Sequence, residues 1–230
     1  MSETGFRIFN NTFSVVAELT YAGLFTAFFY PFITAQSLKR RKGLLVFSVY
    51  ILFGLACNQA ALPQGSFGLI LTGMLLAVSK WAGLEKSLVF LLTLLYFNAR
   101  ISSGLMVESL YFVLERLLPF PSEPLEAVFL RAAVLVTLFL LSHAALFAAM
   151  LYILRRRLQK RRIPLHRREL CYLSLVPAAG ILFGQVISRL LIEFKDGVLL
   201  QLYERHPGFL AVMPVLALLF YAGAYLTIFF

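Results

Sequence analysis

The sequence predicts an all-α, polytopic membrane helix bundle of about seven transmembrane helices, with the N-terminus outside and the C-terminus inside. Three observations predict it. First, the chain is 60% hydrophobic and only 14% charged over 230 residues, where a soluble domain carries roughly 25% charged residues. One small core cannot hide that much apolar surface, so the bilayer acts as the solvent. Second, the apolar residues fall into seven long runs. Third, 14 of the 21 Lys and Arg residues lie in three short connections, at 39–42, 80–86 and 155–168. Basic residues near span ends are retained on the cytoplasmic side. The net charge of +10, parcelled into these connections, reads as orientation and contact with anionic lipid heads rather than as a nucleic-acid surface.

A single domain, 1–230, follows from the uninterrupted run of spans. Span 1 covers about 12–36. Residues 1–11 lack a basic leader and no small-residue cleavage site follows, so the span is expected to stay uncleaved. Span 2 covers about 43–62 and ends at the Leu62-Pro63-Gln64-Gly65 turn. Span 3, about 66–81, is short for a bilayer that needs about 20 residues, and borrows Lys80 and Trp81 as an interfacial end. Span 4 covers about 87–108, and its helical pattern continues to about Leu118, roughly 45–50 Å at 1.5 Å per residue. Three prolines, Pro119, Pro121 and Pro124, then break the helix; Ser122 suits an N-cap. Spans 5, 6 and 7 cover about 128–154, 170–191 and 209–230. The basic gaps 1–2, 3–4 and 5–6 become cytoplasmic, and the acidic gaps 4–5 and 6–7 external. Cys57 and Cys171 fall on opposite sides of the bilayer and read as packing thiols, not a disulfide. Because span 7 ends on the inner face, the chain reads as a sensor module of a longer protein or as a protein that ends there.

Polar side chains inside spans are costly and need partners, so each is a candidate site. They are Glu18, Asn58, Gln59, Asn98, Arg100, His143, Gln185 and Arg189. Spacing sorts them further: Glu18 and Tyr21 are i, i+3; Arg100, Gly104 and Glu108 are i, i+4, i+8; Gln185 and Arg189 are i, i+4. The expected ligand-binding set is Glu18, Tyr21, Asn58, Gln59, Arg100, Glu108, Gln185 and Arg189. Spans 1, 4 and 6 are expected to turn these stripes toward one another around an outward-opening polar cavity, with Arg100 and Arg189 as counter-ions of Glu18. An ion-paired core that only fixes helix register, or an ion path, remains open on the same residues. His143, beside Ser142, lacks other ligands at metal spacing and reads as an interhelical hydrogen-bonding group. The apolar segments near Tyr111–Phe112 and Leu199–Leu200 read as interfacial helices on lipid or as a lip for an external ligand.

No glycine-rich phosphate loop, serine nucleophile elbow, HExxH or paired intramembrane aspartate is present. The chain is therefore expected to be no enzyme, with no catalytic residue, metal or cofactor.

From Arg155 to Leu182 the sequence runs RRRLQKRRIPLHRRELCYLSLVPAAGIL. Its basic loop, the Arg168-Glu169-x-x-Tyr172-Leu173 helix start and Pro177 resemble the multi-span sensor regions of AgrC-like, GHKL-type sensor histidine kinases. The resemblance implies a bacterial plasma-membrane sensor in a two-component system. It would read an extracellular small molecule or peptide and relay it to a cytoplasmic kinase domain or partner, with a homodimer as the signalling unit. The phospho-accepting histidine and ATP-binding motifs of that family are absent here, so no catalytic residue carries over. The rival reading is a small transporter or substrate-binding membrane subunit using the same polar cavity; a third is a membrane-assembly factor without a ligand. The absence of a clear internal repeat weighs toward the sensor.

Overall fold

The computed structural model describes residues 3–33, 39–59, 64–82, 84–117, 125–160, 167–193 and 208–229. The triple-proline break, the Ser122 cap, His166, His206 and most of the segment before the last helix lie outside the described residues. Among those described there is no strand; the elements are α1 (Glu3–Phe29), a 3-10 turn (Tyr30–Phe32), α2 (Lys39–Gln59), α3 (Gln64–Ala82), α4 (Lys86–Leu117), α5 (Leu125–Lys160), α6 (Arg167–Glu193) and α7 (Gly208–Phe229). Stretches within α1, α4, α5 and α6 are long and apolar enough to cross a membrane, and α3 and α7 hold shorter apolar stretches.

Several boundaries differ from the sequence expectation. Helix α1 starts at Glu3, nine residues before the expected span. The polar first turns are held by a ladder of rings, Phe6 on Phe9 and Phe9 on Phe13, and by Phe6 stacking on Phe129 of α5 at 5.1 Å. The helix stops at Phe29 because Pro31 brings no N–H to the Ala27 carbonyl four residues back. Arg155 Nη1, from α5, donates to that carbonyl instead, at 3.4 Å. Helix α5 runs on to Lys160, so the first part of the expected basic loop is helical; Arg, Leu, Gln and Lys are all good helix formers. Helix α3 has 19 residues, about 28 Å of rise, close to the hydrocarbon thickness.

Helices consecutive in the chain run in alternating directions. Helices α1 and α5 run parallel: Phe6 meets Phe129, Tyr21 meets His143, and Ala27 meets Arg155. Helix α2 runs against α1, since Gly43 lies by Tyr30 and Gly54 by Glu18. Helix α6 runs with α4, placing Gly180 on Asn98 and Gly184 on Ile101. The alternation gathers the starts of α2, α4 and α6 and the ends of α1, α3, α5 and α7 at one end of the bundle. That end carries Arg40–Lys42, Lys86, Arg155–Arg157 and Arg168.

Helix α4 is the hub. It packs most heavily on α7 and α6, then on α5 and α3, and it touches α1; the outer helices follow one another around it in the order α1, α2, α3, α6, α7, α5. Accordingly 78% of its apolar stretch is buried, against 28% for α1 and α5 and 17% for α6. The outer helices show large apolar side chains outward, among them Leu52, Leu69, Leu141 and Leu182, as lipid-facing surfaces do. Bilayer tails give no hydrophobic drive for helix association, so close packing must supply it. Perpendicular aromatic contacts do so around α4: Phe25 on Tyr96 at 4.7 Å, Tyr96 on Phe147 at 5.0 Å, Tyr50 on Phe67 at 5.2 Å.

Candidate functional site

One polar network crosses the middle of this apolar core. Four helices supply it, each through positions that share a face. Helix α1 gives Glu18 and Tyr21. Helix α2 gives Tyr50 and Gly54, at i, i+4. Helix α4 gives Tyr96, Arg100 and Ser103, at i, i+4, i+7. Helix α5 gives His143 and, one turn on, Phe147. Arg100 sits 14 residues into α4, about 21 Å from its basic end, and is 6% exposed.

The guanidinium of Arg100 meets three groups. Its Nη1 donates to the Tyr50 hydroxyl at 2.7 Å. Its carbon lies over the Tyr21 ring, 4.1 Å from the centroid. Its Nη2 faces Glu18 Oε1 at 3.6 Å, beyond the 2.7–2.9 Å of a charge-assisted hydrogen bond. Glu18 Oε2 and Arg100 Nε are buried with no hydrogen-bond partner among the described residues. Glu18 Oε2 instead presses against the α2 backbone, where a Cβ on Gly54 would come within 3.0 Å of it.

The remaining bonds have directions that chemistry fixes. Tyr96 donates its only hydrogen to the Tyr21 carbonyl at 2.9 Å, because a carbonyl can only accept. The 3.2 Å contact between the Tyr50 and Tyr96 oxygens is therefore made with Tyr50 donating. Ser103 Oγ donates to the Arg100 carbonyl at 2.9 Å. His143 Nε2 faces that same carbonyl at 3.3 Å and Ser103 Oγ at 3.0 Å, so Nε2 carries the ring hydrogen. Nδ1 is then an acceptor, and the Tyr21 hydroxyl donates to it at 2.8 Å. The tautomer of His143 is thus set by the backbone of α4, and His143 joins α5 to both α1 and α4. Among the described residues no group of His, Cys, Asp and Glu could hold a metal ion.

The expected site residues divide into three sets. Glu18, Tyr21 and Arg100 come together. Glu108 is half-buried two turns further along α4, and Gln185 is half-buried on α6. The side chains of Asn58, Gln59 and Arg189 lie outside those described. The expected convergence of spans 1, 4 and 6 does not occur: α6 packs on α4, α7 and α3, whereas α1 packs on α2, α5 and α4. The hub helix stands between α1 and α6. Its α6 side is occupied by Asn98, whose Nδ2 reaches the Phe220 carbonyl of α7 at 3.5 Å.

Tyr50, Tyr96, Ser103 and Gly54 are site residues that the sequence did not single out. Tyrosine counts as apolar in a hydropathy pattern, and nothing local shows that the Tyr50 hydroxyl meets the Arg100 guanidinium or that Tyr96 caps the Tyr21 carbonyl. No protein-family model, curated protein or solved structure matches the chain.

Proposed function

We propose that the chain is a membrane-embedded sensing module, seven spans with the N-terminus outside, in a bacterial plasma membrane. It detects an extracellular ligand, a small molecule or peptide, and passes the message to a cytoplasmic histidine kinase output. The Glu18–Arg100 network is the element whose rearrangement carries that message.

One observation carries this reading: the buried pair is not hydrogen-bonded, and each partner keeps an unengaged polar atom. A buried ion pair offsets its desolvation only with excellent geometry and satisfied lone pairs, and a buried unsatisfied group costs about 1–3 kcal/mol. A pair that served packing alone would close that gap. A pair held slightly apart between four helices suits an element with two arrangements of similar free energy, which a ligand at one end can bias. The gathering of basic helix ends at one end supports the cytoplasmic placement of that end. Carriage of a solute is the rival reading. A carrier places its site between two bundles that rock against each other, whereas the enclosure of α4 by six helices favours sensing.

The coding sequence following Phe230 and its neighbouring genes give the first test. An in-frame or adjacent kinase supports the proposal, and an adjacent ABC-type ATPase counts for carriage. The second test is output. In membranes carrying the full-length product, Glu18→Gln is expected to lock kinase phosphorylation in one state, about tenfold from the resting wild type. Unchanged, still-responsive output at equal expression would overturn the role given to the pair.

A further inference from the structure

The basic end of the α1–α5 seam combines features that the polar network does not use. The Ala27 carbonyl has lost its helical donor to Pro31 and accepts from Arg155 Nη1. That bond occupies one of the five N–H groups of the guanidinium and fixes where the side chain lies. The Arg155 carbon also sits 5.6 Å from the centroid of the Tyr152 ring. Arg156, next along, is exposed. Toward the middle of the bundle on the same side of α5, Tyr152 is 55% exposed and Leu141, three turns further from the cations, is 62% exposed.

From this juxtaposition we infer that the α1–α5 seam is a binding site for an anionic phospholipid, with Arg155 and Arg156 taking the headgroup phosphate and the Tyr152–Leu141 side of α5 taking the acyl chains. The occupant is argued from its two halves. A soluble phosphate matches the cations but not the apolar wall beneath them. A zwitterionic lipid matches the wall but offers the two arginines no net charge. An arginine oriented in advance by a backbone carbonyl loses less freedom on binding than a free side chain. The inference needs the chain to be in a bilayer but is independent of sensing, since lipid binding is read without any kinase output.

The test uses the full chain in nanodiscs of phosphatidylcholine doped with either phosphatidylglycerol or further phosphatidylcholine, with bound lipid counted by native mass spectrometry. Two cations near the anionic head support a preference for the anionic lipid of about thirtyfold. Arg155→Gln/Arg156→Gln is expected to abolish most of it. Arg40→Gln/Arg41→Gln, which removes the same charge elsewhere at the same end, is expected to retain it. Equal loss in both double variants would mean a diffuse basic field and would overturn the site. So would the absence of any preference in wild type, or competition by inorganic phosphate at millimolar concentration. A variant that fails to fold is recognised by its elution profile, and Arg155→Lys then serves in its place, expected to lose the greater part of the preference because an ammonium lacks the fork.

Discussion

At Gly54 a single methyl group decides whether Glu18 fits. A Cβ there would stand 3.0 Å from Glu18 Oε2, whereas a Cβ at Gly23, on the outward face of α1, meets nothing within 4 Å. Gly54→Ala is expected to cost about 1–3 kcal/mol by overpacking. Gly23→Ala is expected to gain about 0.5–1 kcal/mol from helix propensity. Thermal unfolding of both variants in one detergent checks the contrast, and equal shifts would refute the close fit at Gly54. The hydrogen-bond directions make a second residue-level prediction. Nitrogen-15 NMR of a variant retaining only His143 should show the Nε2–H tautomer, and Tyr21→Phe should perturb Nδ1, leaving a buried acceptor at a cost of about 1–3 kcal/mol. Glu18, Arg100 and His143 were legible in the sequence because ionisable side chains inside apolar runs stand out. Tyr50 and Tyr96 were not, because their role depends on which helix faces which, and a phenol in an apolar run gives no sign of that.

Among the elements, the glycines of α6 do for the far side of the hub what Gly54 does for the near side. A Cβ on Gly180 would collide with Asn98 Oδ1, and one on Gly184 with Ile101 Cγ2. The two are four residues apart and share a face, which lets α6 approach α4 closely. Gly180→Ala or Gly184→Ala should lower stability by about 1–3 kcal/mol, while Gly73→Ala, whose Cβ meets nothing within 4 Å, should not; a loss at Gly73 as large as at Gly180 would refute the packing argument. Pro31→Ala is expected to restore a helical donor to Ala27 and lengthen α1. In the variant a residue-31 amide as protected as those of the helix interior would report it, and a freely exchanging one would count against Pro31 as the terminator. Helix existence was legible throughout, since long apolar runs admit little else in a bilayer. Ends were not. The start of α1 depends on Phe6 finding Phe129, 123 residues further along the chain, which no local pattern contains.

For the whole molecule, the proposed sidedness makes a labelling prediction. In a cysteine-free background, Glu3→Cys should react with a membrane-impermeant thiol reagent in intact cells, and Arg156→Cys should react only after lysis. The reverse pattern would overturn the orientation and the external receptor site with it. The placement of α4 at the centre was only partly legible. Hydrophobic periodicity shows which face of a soluble helix is buried, but in a membrane both the packed and the lipid-facing sides are apolar. The usable sign was composition: Asn98, Arg100, Ser102, Ser103 and Ser109, all buried, fall on one helix.

The enclosure of α4 bears on biogenesis. A ribosome delivers the chain in order, so in the proposed membrane setting α4 would leave the translocon before α5, α6 and α7 exist to surround it. An arginine at mid-helix raises the apparent insertion free energy by about 2.5–3.5 kcal/mol, and the only company then available is α1, α2 and α3. These three already hold Glu18, Tyr21 and Tyr50, the groups that receive the guanidinium. In that setting the Glu18 carboxylate is the first counter-ion that α4 can meet, three helices before its enclosure is complete.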